Sequence, residues 1–179
     1  MLYIVEINDE NKFNLHCANQ PFYIIGRLDI CFNDGHFKSK EVLFGNSTRK
    51  QYPNYNGAGA EDYINSNNRM AYFAFSGSDC VGQILLAKNW NGYVHVEDLS
   101  VGEAFRRKGI GTMLLSKAYE WAKENNIDAL SVECQDNNIY ASRFFSKNGF
   151  EIGGVNTELY ALLGEPYASE TAVFWYKKI

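Results

Sequence analysis

The fold is decided by a stretch that reads YVHVEDLSV at Tyr93–Val101 and, after the short loop GEAF, RRKGIG at Arg106–Gly111. Alternating β-branched residues predict a strand in the first part, and the apolar spacing after it predicts a helix from Ile110 to about Asn125. Backbone N–H groups at a helix start have no partners inside the helix, and the helix dipole favours an anion there. Glycines allow close approach, and basic side chains add charge-assisted hydrogen bonds. We therefore interpret Arg106–Gly111 as a cradle for a pyrophosphate group.

The predicted strand changes phase part of the way along. Val94 and Val96 share one face by the period-two alternation of a strand, whereas Leu99 and Val101 share a face of the opposite parity. One extra residue restores a common buried face, so we predict a β-bulge at Glu97-Asp98. A bulge also exposes backbone groups, which would prepare N–H groups for a ligand just before the cradle.

The rest of the chain predicts an α+β domain. An Asn-Gly pair at Asn91-Gly92 predicts a tight hairpin turn, and the crossover through the first helix to the next strand predicts a parallel pair in a mixed sheet. With no repeat and no linker, we expect a single domain over residues 1–179. Further strands are predicted at Leu2–Ile7, Phe22–Ile30, Met70–Ser76, Cys80–Lys88, Ala129–Cys134, Phe150–Gly153 and Thr171–Lys178.

Two helices and two long loops are predicted besides the strands. The first helix is expected to bury one stripe, and a second helix is expected at Asn138–Lys147, ending at Asn148-Gly149. Asn46–Asn68 is predicted to be a surface loop with a helical turn near Ala60–Ile64, and Gly154–Glu170 a long connection that could cover a substrate pocket. The stripe consists of Ile110, Met113, Leu114, Ala118, Trp121 and Ala122.

Composition excludes several classes of protein. A hydrophobic content of 46% argues against disorder, and a net charge of −4 argues against a general nucleic-acid binder and mildly favours cationic small partners. The four cysteines lie far apart and only three histidines are present, so we expect neither a metal site nor a disulfide framework. The apolar runs are too short to span a membrane, and the first residues do not resemble a signal peptide, so we expect a cytoplasmic protein. The sequence leaves the choice between monomer and homodimer open.

The cradle could bind more than one class of phosphate-containing ligand. Gly109-Ile110-Gly111 could begin a dinucleotide fingerprint, with Glu133 as the ribose-binding acid, but the third glycine position is Leu114. No GxxxxGK[ST] motif is present, which disfavours a nucleotide triphosphatase. A basic residue followed by spaced glycines after a bulged strand instead resembles the acyl-CoA loop of the GNAT superfamily of N-acetyltransferases. NIYASRFF at Asn138–Phe145 followed by Gly149-Phe150 resembles that superfamily's second cofactor segment.

The resemblance narrows within the superfamily. Most of the chain, apart from about residues 31–69, resembles the streptothricin (nourseothricin) acetyltransferases. This resemblance implies the GNAT fold, with a mixed central sheet, a bulged strand and helices on both faces. It also implies acetyl transfer from acetyl-CoA to the β-amino group of the antibiotic's β-lysine moiety. The matching segments are KNWN at Lys88–Asn91, VEDLSV at Val96–Val101, Glu133 with QDNN at Gln135–Asn138, Thr157 with Leu159-Tyr160, and AVFWY at Ala172–Tyr176.

The resemblance also implies a set of residues for the cofactor. The basic and hydroxyl side chains of the cradle would hold the diphosphate, backbone N–H groups would support it, and the bulged strand would pair its main chain with the pantetheine arm. Asn138 would hydrogen-bond the pantetheine, although the same residue is also expected as a helix N-cap. The full set comprises Leu99, Ser100, Val101, Arg106, Arg107, Lys108, Gly109, Ile110, Gly111, Thr112, Asn138, Phe144, Phe145 and Lys147.

The chemistry requires a base, because an alkylamine with a pKa of about 10.4 is mostly protonated at neutral pH. Glu97 and Asp98 at the bulge are the leading candidates. Glu133 could complete an anionic pocket for the substrate. Trp90, Tyr93 and Tyr160 could line that pocket, since aromatic faces suit cations. For Trp90, packing in the core is the competing interpretation.

One position departs from the superfamily's pattern. Phe145 stands where a tyrosine commonly protonates the departing thiolate, and Tyr160 or Tyr140 could take over that role. We therefore expect Phe145→Tyr to raise the rate of the chemical step. Two alternatives to the streptothricin activity follow: an acetyltransferase for another cationic or protein amine, and a weakly catalytic acyl-CoA binding module.

Overall fold

The computed structural model describes residues 1–54 and 57–179 of the chain. Its helices are α1 (Ile110–Glu124) and α2 (Ile139–Lys147). Its strands are β1 (Leu2–Glu6), β2 (Phe22–Asn33), β3 (His36–Lys50), β4 (Arg69–Ser76), β5 (Asp79–Lys88), β6 (Val94–Val101), β7 (Ala129–Gln135), β8 (Glu151–Asn156) and β9 (Ala172–Lys178).

The chain forms two compact units, each assembled from separated segments. The first unit comprises Met1–Pro21, Gln51–Leu130 and Ile179, and the second comprises Phe22–Lys50 and Ser131–Lys178. Because both units interleave along the chain, neither is a separate stretch of sequence. The expectation of a single domain over residues 1–179 stays a prediction.

The first unit contains an antiparallel meander in the strand order β1-β4-β5-β6. In the pairing of β5 with β6, Leu85 lies opposite Asp98 and Leu86 lies opposite Val96, so Glu97 is the extra residue of a bulge. The predicted bulge is therefore confirmed. Because of this extra residue, side chains alternate regularly both before and after the bulge, with a change of phase at Glu97.

Helix α1 packs on this meander at a glycine of β5. A Cβ atom at Gly82 would lie 3.2 Å from side-chain atoms of both Ile110 and Leu114, so the helix and the strand approach closely at this point. The predicted stripe is confirmed except for Met113, which is 40% exposed, whereas Leu115 is fully buried. At about 100° per residue, the buried face is centred nearer to Leu115 than to Met113.

A second apolar cluster in this unit anchors the segment that precedes β4. Tyr63 is 1% exposed and packs with Phe73 and Leu85. Because side chains alternate along a strand, these two residues lie on the face of the meander opposite to Gly82. A short helical turn at Ala60–Asp62 brings Tyr63 to this position, as the sequence indicated. The cluster therefore holds the Tyr63 hydroxyl at a defined place on β6, where it contacts Glu97.

The second unit contains a long hairpin, of which the sequence predicted only the first strand, at Phe22–Ile30. Strands β2 and β3 pair antiparallel around Asp34-Gly35, whose φ angles of 52° and 80° suit a tight hairpin turn. The prediction of a surface loop over Asn46–Asn68 is wrong at Asn46–Lys50, which continue β3. Tyr55 and Asn56, within the same predicted loop, lie outside the described residues. Most side chains of the hairpin are exposed, so it has little apolar patterning that would reveal it.

The rest of the second unit follows the predictions closely. Strand β7 lies almost entirely in this unit, where the strands neighbour in the order β7-β9-β8. Helix α2 begins after Asn138, which caps it, and ends before Gly149, whose φ angle is 81°. Strand β8 continues to Asn156, so the predicted connection to β9 is shorter than expected and comprises residues 157–171.

Within the part of the chain that the structure describes, no helix is long and apolar enough to cross a membrane. Residues 1–54 and 57–179 contain no group of three or more His, Cys, Asp or Glu side chains that could hold a metal ion. All four cysteines are free thiols.

Candidate active site

The predicted pyrophosphate cradle forms the turn that leads into α1. Arg107 and Gly109 have φ angles of 63° and 85°, and the helix begins directly afterwards at Ile110. Arg107, Lys108 and Gly109 are exposed, and a Cβ atom at Gly109 would meet no atom of the described residues within 4 Å. The backbone N–H groups of the first helical turn, which includes Thr112, have no acceptors inside the helix. The exposed turn is compatible with a diphosphate group, and the contacts of its residues with such a group stay predictions.

Arg106 makes structural contacts that the sequence did not indicate. Its guanidinium group donates to three backbone oxygens, those of Val101 at 2.9 Å, Pro21 at 2.7 Å and Gln20 at 2.9 Å. These bonds tie the end of β6 to the segment before β2. Direct phosphate binding by Arg106 therefore stays a prediction, while the structure shows it holding the cradle in shape.

The bulged strand presents Asp98 in a buried hydrogen-bond network. Gln83 donates from Nε2 to Asp98 Oδ2 at 2.6 Å, and the Ser100 hydroxyl donates to the same oxygen at 3.0 Å. Gln83 is fully buried, and its Oε1 atom accepts the backbone N–H of His16 at 2.7 Å. Burial raises the pKa of Asp98, and the hydrogen bonds from Gln83 and Ser100 lower it in part. A carboxylate with a raised pKa is better matched to accepting a proton near neutral pH.

Glu97 is engaged in an ion pair. Arg69 donates to both of its oxygens, at 3.4 Å and 3.2 Å, and the Tyr63 hydroxyl donates at 2.8 Å. The Glu97 side chain is only 7% exposed. Both of its oxygens thus already accept hydrogen bonds from distant residues. Of the two carboxylates proposed from the sequence, Asp98 is therefore the better candidate for the base.

The main chain of the bulged strand pairs with β5. Leu99 lies opposite Ile84 and Val101 lies opposite Gly82 in the ladder with β5. The Ser100 side chain is already a partner of Asp98. Contact of this strand with a pantetheine arm is compatible with these pairings and stays a prediction.

A second acidic group lies in the second unit, on β7. The Tyr160 hydroxyl donates to Glu133 Oε1 and accepts a hydrogen bond from Gln135 Nε2 at 3.1 Å. Burial raises the pKa of Glu133, and the negative charge of Glu170 raises it further, against lowering by Tyr160 and Lys50. Tyr160 is 8% exposed. The structure thus brings together the predicted Glu133 and Tyr160, and it adds Gln135 as a positioning residue that sequence reasoning missed.

The residues of the second predicted cofactor segment are arranged around α2. Asn138 caps the helix, its Oδ1 atom accepting the N–H of Ala141 at 3.1 Å, so the N-cap interpretation is confirmed. Lys147 is exposed, and Phe144 is partly buried against Phe145, with the two ring centroids 5.5 Å apart. Their contacts with a cofactor stay predictions.

Trp90 is the predicted site residue that the structure supports least. It lies on the tight turn between β5 and β6 and is 93% exposed, so the expectation that it packs in the core is wrong. The turn itself explains this position, because Gly92 adopts a φ angle of 83° and the short loop leaves its side chains in solvent. Tyr93 is half-buried at the start of β6. Of this aromatic pair, Tyr93 is therefore the better candidate for contact with a substrate.

A groove of about 840 Å³ in the second unit lies at another place. It is lined by the β2–β3 hairpin, α2 and β8, and its lining includes Arg143 and Lys147 but none of Glu133, Tyr160 and Glu170. Arg143 is bound to Glu41 there, with two nitrogen–oxygen distances of 2.8 Å and 2.6 Å. The groove therefore lies apart from the acidic groups around Glu133 in the same unit.

Phe145 lies in an aromatic cluster of the second unit. Its ring centroid is 5.5 Å from that of Phe150 and 6.5 Å from that of Trp175, and the side chain is 5% exposed. We expect Phe145→Tyr to lower the free energy of unfolding by about 1–3 kcal/mol, because the added hydroxyl enters an apolar environment. Chemical denaturation checks this value, and Phe144→Tyr on the partly buried neighbouring ring is the control. An unchanged stability would mean that the hydroxyl finds a partner, and an accompanying rise in the single-turnover rate would support its expected role as an acid.

Comparisons with known proteins agree with this geometry. The model of the acetyltransferase (GNAT) family matches residues 41–150. Streptothricin acetyltransferase A of Bacillus subtilis is 38% identical over 98% of this chain and 99% of its own length, and a streptothricin acetyltransferase of Escherichia coli is 31% identical over 80% of this chain and 86% of its own. A crystal structure of a candidate streptothricin acetyltransferase from Bacillus anthracis, in complex with acetyl coenzyme A, superimposes with a TM-score of 0.90 at 30% identity, covering 100% of both chains.

The fold and the site therefore define an acyltransferase with a mixed α+β architecture, as the sequence predicted. The chain belongs to the GNAT family of acetyltransferases and is an acetyl-CoA-dependent N-acetyltransferase. It is similar over nearly its whole length to the streptothricin acetyltransferases.

Proposed function

We propose that this enzyme acetylates the β-amino group of the β-lysine moiety of streptothricin-type antibiotics, and so confers resistance to them in the cytoplasm. The observation that carries the proposal is the 38% identity with streptothricin acetyltransferase A over 98% of the chain. Buried carboxylates support it, because Asp98 and Glu133 both have raised pKa values and suit an acceptor that arrives as a cation.

Each residue has a role in this proposal that follows from its contacts. Acetyl-CoA supplies an activated acetyl thioester when bound. The exposed Arg107 and Lys108, together with the N–H groups at the start of α1, hold its diphosphate. Asp98 accepts the proton of the acceptor's ammonium group, directly or through water, and so makes the nitrogen lone pair available for attack.

The departing thiolate needs a proton donor other than residue 145, since Phe145 has no hydroxyl group. Tyr160 is the candidate proton donor: its hydroxyl proton, which it shares with Glu133 in the free enzyme, passes to the thiolate, and the hydrogen bond from Gln135 stabilises the oxygen that remains. A thiol resembles the cysteine side chain, with a pKa of about 8.5, so a thiolate leaves tolerably even when the acid is weak. Glu133 adds negative charge that attracts the cationic acceptor.

The direct test of this function is thiol release. Purified enzyme with acetyl-CoA and a streptothricin is expected to liberate free thiol, and mass spectrometry of the product is expected to show one acetyl group on the β-amino nitrogen. A chain with Asp98→Asn serves as the matched control for background hydrolysis. Turnover with polyamines or peptides but not with streptothricin would favour an enzyme for another amine. Binding of acetyl-CoA without any turnover would favour an acyl-CoA binding module.

A further inference from the structure

Alternate residues of β7 and the turn after it form a continuous polar track within the second unit. Glu133 and Gln135 share one face of β7, and Asn137 follows in the turn directly after the strand. Tyr160 contacts the first two, and Glu170 contacts the third through a hydrogen bond of 2.9 Å from Asn137 Nδ2 to Glu170 Oε1. The track therefore leads from the Glu133–Tyr160 pair to Glu170.

The far end of the track contains two buried acceptors. Among residues 1–54 and 57–179, neither Glu170 Oε2 nor Asn137 Oδ1 has a hydrogen-bond donor, although both atoms are buried. The Glu170 side chain is 4% exposed. Lys50 forms an ion pair with the other oxygen, Oε1, and its ammonium group also lies 5.1 Å from the centre of the Tyr167 ring. A buried acceptor without a donor is unfavourable, so this arrangement suits a ligand that brings N–H groups.

The charges around the track favour a cation. Glu133, Asp136 and Glu170 are three acidic groups in this part of the unit, and the charge of Glu170 raises the pKa of both others, in addition to the larger effect of burial. At Glu133 the charge of Glu170 outweighs that of Lys50, whereas at Asp136 the charge of Arg27 outweighs that of Glu170. An added positive charge at Glu170 would therefore be stabilised by the carboxylates around it.

We propose that Glu170 Oε2 and Asn137 Oδ1 bind a second ammonium group of the acceptor, remote from the amine that is acetylated. An alkylammonium group has three N–H donors, enough to satisfy both acceptors at once. This subsite rests on the proposed function, and it makes the enzyme selective for diamines such as β-lysine derivatives over monoamines of the same length. The segment 157–171 carries Tyr160, Tyr167 and Glu170, so it is the part of the chain that would admit the second amine.

The test compares two acceptors that differ only in the second amine. One is β-lysinamide, and the other is its analogue in which hydrogen replaces the ε-amino group. The wild-type enzyme is expected to show a kcat/KM ratio of at least about tenfold in favour of the diamine. In Glu170→Gln the ratio is expected to fall towards one, because the amide removes the charge while it keeps the shape of the side chain. The loss is expected mainly in KM, since the second amine binds without reacting.

The ratio protects the test against misfolding. It does not depend on the fraction of active enzyme, and the wild-type measurement stands even where Glu170→Gln fails to fold after losing its partner for Lys50. Glu158→Gln, an exposed acid in the same segment, is the matched control and is expected to keep the wild-type ratio. A wild-type ratio near one, or an unchanged ratio in soluble Glu170→Gln, would overturn the subsite and leave a structural cluster only. Acetylation of streptothricin with a ratio near one would overturn the subsite alone, whereas no acetylation of streptothricin would overturn the proposed function.

Discussion

Asp98→Asn is expected to lower kcat for acetyl transfer by about 10²–10⁴-fold, the usual contribution of a general base. The variant should keep its fold, because Gln83 and Ser100 both donate to the same oxygen of Asp98, and one amide oxygen can accept both bonds. Steady-state and single-turnover kinetics over pH measure the effect. In the wild type the rate is expected to rise through the raised pKa of Asp98, and this limb should disappear in the variant.

The same substitution is expected to stabilise the protein. The folded state binds more protons than the unfolded state between the ordinary aspartate pKa of about 3.9 and the raised pKa of Asp98, so Asp98 makes stability fall as pH rises through that window. Asparagine has no charge to bury, so the Tm of Asp98→Asn should exceed that of the wild type at pH 7. The difference between the two Tm values should be smaller at pH 4. A wild-type kcat in Asp98→Asn would exclude this residue as the base.

Glu97→Gln provides the comparison between the two carboxylates at the bulge. It leaves Arg69 without its ion pair, so it is expected to lower stability and to affect kcat less than Asp98→Asn does. If Glu97→Gln abolishes turnover while Asp98→Asn retains it, the two assignments must be exchanged.

Arg106→Met is the second substitution with a large expected effect. Three backbone carbonyls lose a charged donor, and hydrogen bonds to charged groups contribute about 1.5–3 kcal/mol each. Since such contributions are not additive and the side chain is only partly buried, we expect the free energy of unfolding to fall by about 3 kcal/mol. The Kd for acetyl-CoA should rise by about tenfold, because the cradle loses its attachment to the end of β6.

Arg107→Met is the matched control for this experiment. Arg107 is exposed on the same turn and also carries one positive charge. Its loss should weaken acetyl-CoA binding without a comparable loss of stability. Chemical denaturation and calorimetric titration distinguish the two variants, and equal stabilities would contradict the structural role of Arg106.

Local patterning was sufficient for much of the fold. The phase change between Val96 and Leu99 predicted the bulge, because the alternation of a strand is a property of neighbouring residues. The spacing of apolar residues, together with residues that typically begin or end helices, likewise predicted α1, α2 and the Asn138 cap. Strand β3, and with it the hairpin, was missed because most of its side chains face solvent, and without a buried face there is little alternation to detect.

The residue types of the candidate site were predictable from the sequence, but their roles were not. The sequence by itself determined which groups are present: a basic turn with glycines before a helix, two acids at a bulge, and no hydroxyl at Phe145. Only the tertiary structure decided what those groups do, since hydrogen-bond partners come from distant parts of the chain. It placed Arg69 on Glu97 and Gln83 on Asp98, and so separated two adjacent carboxylates into an ion-pair partner and a candidate base. It also brought Glu170 to Asn137 across more than thirty residues, a contact that no local pattern encodes.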